Sequence, residues 1–68
     1  MKREAYSKIL NKLAFLEANK EKIVRSAEEL ERTEGEIAAL KHVSESKPKA
    51  EYIRGLMLGY QKALEIMK

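Results

Sequence analysis

From Tyr6 onward, large aliphatic residues recur at every seventh position. With Tyr6 as heptad position a, Ile9, Leu16, Ile23, Leu30 and Ile37 all fall at d. Such a register predicts helix throughout, because a and d share one seam only on a repeat of about 3.5 residues per turn. The a positions are mixed: Tyr6, Leu13 and Ala27 are apolar, whereas Lys20, Glu34 and Lys41 are charged. That mixture excludes a simple two-stranded zipper. Leu10, Val24, Ala38 and Leu40 flank the seam and widen it into the broader stripe that a bundle helix carries.

The pattern stops at Ser44-Glu45-Ser46-Lys47-Pro48-Lys49. Pro48 cannot sit inside a helix and biases Lys47 away from helical angles, so residues 44–49 are expected to form a turn. Ser46 is the expected N-cap and Pro48 the expected first-turn residue of the next helix. Beyond the turn, Ile53, Met57, Tyr60, Leu64 and Met67 repeat at alternating spacings of four and three, which predicts a second helix over 50–67.

The chain therefore reads as one all-α domain over 1–68. Its parts are a long N-terminal helix over 2–43, a turn over 44–49 and a shorter C-terminal helix. A 2–43 helix would extend about 60 Å and its partner only about 30 Å. The short helix would lie beside residues 25–43 and leave Tyr6, Ile9, Leu10, Leu13 and Leu16 uncovered. A second copy running antiparallel would cover them and complete a four-helix bundle. The alternative is a monomeric three-helix bundle broken near Asn19, since Asn can end one helix or cap the next. Ser26-x-x-Glu29 and Thr33-x-x-Glu36 also fit the capping-box pattern, and a true cap at either would break the long helix there, with Gly35 a further suspect.

Composition agrees with helix packing and narrows the chemistry. Of 68 residues, 37% are charged, three are Gly, one is Pro and none is Cys or Trp. The lack of cysteine removes disulfides and thiolate metal sites, and His42 alone cannot build a zinc site. No metal, cofactor or catalytic group is expected. A lone histidine permits no Ser-His-Asp or Cys-His set, and no Gly-rich phosphate loop is present. The carboxylates Glu28, Glu29, Glu31, Glu34 and Glu36 lack the Glu-x-x-His partner of a di-metal bundle and read as a solvated face. No apolar run approaches the ~18 residues of a spanning helix. Met1-Lys2-Arg3-Glu4 leads into an amphipathic segment rather than a signal sequence, so a cytoplasmic location without membrane contact is expected.

Charge is segregated. Residues 1–25 hold seven basic and three acidic side chains, residues 26–45 two and six, and residues 46–68 five and two. The basic N-terminal cluster, with Lys8, Lys12, Lys20, Lys22 and Arg25, is a candidate nucleic-acid surface, although Glu17 and Glu21 interrupt it.

The more specific signal lies in the last helix. Gly55, Gly59 and Ala63 make a strip of small residues flanked by Tyr52 and Ile66, and each interior Gly costs about 1 kcal/mol against Ala. Close approach of another helix would offset that cost. Tyr52 and Tyr60 are aromatic anchors of the kind concentrated in binding hot spots, and Phe15, off the heptad seam, is a third candidate contact. The dimer or core seam comprises Tyr6, Ile9, Leu13, Leu16, Ile23, Leu30, Ile37, Ile53, Met57 and Leu64.

The expected function is protein interaction: a small homodimeric adaptor, regulator or inhibitor of a larger protein, for which a phage or mobile-element origin would be suitable. Two alternatives remain, a nucleic-acid-associated bundle and a structural coiled-coil subunit of an assembly.

Overall fold

A computed structural model describes residues 2–68. The protein is all-helical, with α1 spanning Arg3–Ile23, α2 Ala27–Ser46 and α3 Ala50–Met67. No helix is long and apolar enough to cross a membrane among the described residues.

The long helix expected over 2–43 is interrupted, and the break lies at Val24–Ser26 rather than at Asn19 or Gly35. Val24 (φ −91°, ψ 127°) and Ser26 (φ −146°, ψ 164°) are extended. The reason is a helix cap. Ser26 Oγ accepts from the Glu29 backbone N–H at 3.1 Å, and the Glu29 carboxylate accepts from the Arg25 backbone N–H at 3.0 Å. Two donors that a new helix would leave unsatisfied are thereby satisfied. The β-branched pair Ile23-Val24 just before it has little helix preference to resist the break. Asn19 does the opposite of breaking: its amide donates to the Phe15 carbonyl one turn back at 2.8 Å, inside α1. Thr33 and Gly35 lie within α2, so the second capping pattern is a coincidence of sequence.

The turn also is shorter than 44–49. Ser46 is the last residue of α2, not the N-cap of α3, and Lys47 ends α2 in the left-handed conformation (φ 48°, ψ 53°). Its N–H donates to the Val43 carbonyl at 2.9 Å. A side chain costs about 1 kcal/mol or more there, and Lys47 Nζ lies 4.7 Å from the centroid of the Tyr6 ring, a cation–π contact that ties the end of α2 to the start of α1. Pro48 lies one residue ahead of the α3 N-cap, Lys49, instead of within its first turn.

Breaking the helix folds the seam onto itself. α1 packs antiparallel against α2. Leu13 (9% exposed) and Leu16 (5%) are the buried apolar residues, with Tyr6 and Ile9 half-buried on the same side of α1. On α2, half-buried Leu30, Thr33, Ile37 and Leu40 and buried Ser44 follow a 3-4-3-4 spacing that marks the face turned to α1. Ser44 Oγ donates to the Lys41 carbonyl at 2.8 Å, so this buried hydroxyl is paired. The stripe expected to need a second copy is covered by the chain's own α2. Ile23, at the open end of the hairpin, stays 43% exposed.

α3 departs furthest from expectation. It turns back along α2 but does not pack on it closely, and none of its residues is buried. The molecule measures 35 × 31 × 13 Å. A helix with its side chains is about 10–12 Å wide, so the protein is a single layer of helices with α2 in the middle.

Ser26→Ala should lower stability by about 1 kcal/mol, while Asn19→Ala should be neutral or slightly stabilising because Asn is the poorer helix former. Urea unfolding followed by circular dichroism checks both, and a reversed order would place the break at Asn19. In the same assay Leu16→Ala should cost about 2–5 kcal/mol, a large share of a small domain's stability.

Candidate interaction surface

α3 is the most amphipathic element of the chain. On a 3.6-residue period its apolar and small residues, from Gly55 and Ile66 through Tyr52, Leu56 and Tyr60 to Leu64 and Met57, fill an arc of about 200°. Arg54, Gln61, Lys62 and Glu65 occupy the remainder, interrupted by Leu58. Arg54 pairs with Glu51 one turn earlier, an exposed contact worth a few tenths of a kcal/mol. A surface helix facing one core needs an apolar stripe of roughly 100°. An arc twice that width is suited to a helix with neighbours on two or three sides.

In the single chain those neighbours are missing. Tyr52, Met57, Leu58, Leu64 and Met67 are exposed, Tyr60 is 67% exposed and Ile66 85%, while Ile53 and Leu56 are half-buried. Two apolar concavities share this helix. One is the strip sought in the sequence, where Tyr52, Gly55, Gly59, Tyr60 and Ala63 come together with Leu56. The other is a groove of about 510 Å³ between α2 and α3, with Gly35, Ala38, Ala39, His42 and Val43 on one wall and Ile53, Leu56, Met57 and Tyr60 on the other. Leu56 and Tyr60 line both.

A Cβ built at Gly35, Gly55 or Gly59 would meet nothing within 4 Å. No contact inside the chain therefore requires glycine at these positions, and their low helix propensity is uncompensated in the isolated chain. His42, at the α2 wall of the groove, is 3.4 Å from Ser46 Oγ through Nδ1. His42 is exposed and sits among the small and apolar residues of that wall.

Of the predicted contact residues, Tyr52, Gly55, Gly59 and Tyr60 form one surface, and Phe15 does not join it. Phe15 is 53% exposed on α1, with Lys12 Nζ 5.9 Å from its ring centroid. Among the seam residues assigned to α3, Ile53 is half-buried, whereas Met57 and Leu64 are exposed, because α2 is not close enough to cover them. The α2 wall was missed by sequence reasoning. Its signal is the run Gly35, Ala38, Ala39, His42, a small-residue face spaced at three, one and three on the opposite side of α2 from Leu30 and Ile37.

The basic candidates divide. Lys8, Lys12 and Lys22 are exposed and fall with Phe15 within an arc of about 80° on the side of α1 away from α2. Lys20 is half-buried on another side of α1, and Arg25 lies in the break, where its backbone joins the cap.

Comparison of the chain with protein-family models, with curated proteins and with solved structures finds no match.

Proposed function

We propose that this chain is a protein-interaction module, a small adaptor, regulator or inhibitor that acts by packing the apolar face of α3 against another protein chain. The observation that carries the reading is the open 200° arc of α3, which places two tyrosines beside two glycines whose small size serves nothing within the chain. Exposed apolar surface of this extent, concentrated on one element and rimmed by charge, is the usual mark of a docking face. Small residues let a foreign helix approach, and Tyr52 and Tyr60 supply large contact area at little conformational cost. Homodimerisation belongs to the same reading in altered form: with the N-terminal seam consumed by α1–α2 packing, a second copy would be met on the α3 side.

A photo-cross-linking amino acid at Tyr52 or Tyr60, introduced in the source cells, should give adducts with protein chains, and Tyr60→Ala should weaken that association by about 2 kcal/mol. Absence of any protein adduct at both positions would overturn the reading.

One observation favours a second reading, nucleic-acid binding: the alignment of Lys8, Lys12 and Lys22 with exposed Phe15 on the outer side of α1. Binding through this face should fall steeply with salt, and replacing the three lysines by Gln should reduce the slope of log K against log[salt] by roughly 2–3. A titration with labelled single- and double-stranded RNA and DNA at low salt that detects no binding eliminates it.

A further inference from the structure

Resting on the reading of α3 as an interaction surface, we infer that its occupant is the α3 of a second copy: two chains associate about a two-fold axis near Gly59, the strip of Gly55, Gly59 and Ala63 on each α3 laid across that of the other. The result is a core centred on the two α3 helices, with α1 and α2 of each copy further out.

Surface area is the first argument. A compact monomer of this chain's mass exposes about 4,400 Å², whereas this chain exposes 6032 Å². The excess is about 1,650 Å² per chain and about 3,300 Å² for a pair, within the 2,000–5,000 Å² that obligate homodimers bury. The radius of gyration agrees: 13.4 Å against about 11 Å for a compact chain of this length. A layer one helix thick leaves no place inside itself for an apolar arc of this width, and domains are built from at least two packed layers.

Self-complementarity is the second. The small-residue strip is flanked by Tyr52, Leu56 and Tyr60, and the helix in greatest need of cover is α3 itself. A foreign helix would cover one strip, whereas the reciprocal arrangement covers both with a single operation, the self-closing logic of a two-fold interface. Antiparallel crossing at Gly59 sets Gly55, Gly59 and Ala63 of the two copies against one another. That provides the close approach which the open space above these glycines leaves unused in one chain.

The first experiment is light-scattering mass across a concentration series, with Gly59→Leu alongside. A Cβ at Gly59 meets no atom within 4 Å in one chain, and Leu is the better helix former, so the variant keeps its helicity. The natural chain should have twice the monomer mass, and Gly59→Leu should raise the dissociation constant by about 30-fold or more through overpacking. Because the chain has no cysteine, Gly59→Cys should form an inter-chain disulfide readily and Phe15→Cys should not. A monomer at every concentration overturns the inference, as does a dimer indifferent to Gly59→Leu or cross-linked equally through Phe15→Cys. If the chain is monomeric while photo-adducts at Tyr60 join it to other proteins, only the identity of the occupant fails. If neither Tyr52 nor Tyr60 captures a chain of any kind, the interaction reading fails with it.

Discussion

The reciprocal cap between Ser26 and Glu29 decides what the rest of the chain has to do. Two backbone N–H groups donating to two side chains turn a continuous heptad register into a helical hairpin. The seam of Tyr6, Ile9, Leu13 and Leu16 then meets Leu30 and Ile37 of its own chain instead of those of a neighbour. Each bond is modest on the scale of folding, about 1 kcal/mol, yet the pair selects between two topologies of similar hydrophobic content. Most of the seam before residue 47 finds cover there, although Leu10, Phe15 and Ile23 stay exposed. α3, beyond the left-handed Lys47, buries no residue at all.

Energetically the protein is lopsided. Its best-buried apolar residues among those described, Leu13 and Leu16, lie in α1, and the helix with the widest apolar arc buries none of its residues. At about 25 cal/mol per Å² of apolar surface, a face this large represents free energy that a lone chain does not realise. Small domains without disulfides or metals depend on idealised packing or on association, and here the first suffices for α1 and α2 while α3 has only its turn and the shallow groove. The glycines fit this division. Gly35, Gly55 and Gly59 line the two concavities, and no close contact within the chain requires their lack of a side chain.

Helix was legible from the 3.5-residue register, as were a turn at Pro48, though three residues long rather than 44–49, and the grouping of Tyr52, Gly55, Gly59 and Tyr60 on one side of α3. The position of the break was legible only as one option among several, through the Ser26-x-x-Glu29 pattern beside Asn19 and Gly35. Asn19 had the more familiar residue type, but an asparagine whose amide can reach the carbonyl one turn back is content inside a helix. Ser26 had the more complete arrangement, because the hydroxyl and the Glu29 carboxylate act only together. A strict d register across Ile23 and Leu30 argued against any break, and here the periodicity misled: a hairpin joined by three residues can carry the same spacing on both arms and still bring them face to face. The α2 wall was overlooked for a different reason. Alanine and glycine faces carry little hydrophobic weight, so a pattern search that scores large residues passes over Gly35, Ala38 and Ala39.

The brevity of the joint at Val24–Ser26 also has a consequence in time. Every contact of the α1–α2 hairpin closes around a three-residue connection, so its formation is a local event, on the scale of helix growth and short-loop closure, within microseconds to milliseconds. α3 shares none of those contacts. Whatever it finally rests against, it must wait for that surface to arrive, and its own ordering follows the hairpin as a separate, later step.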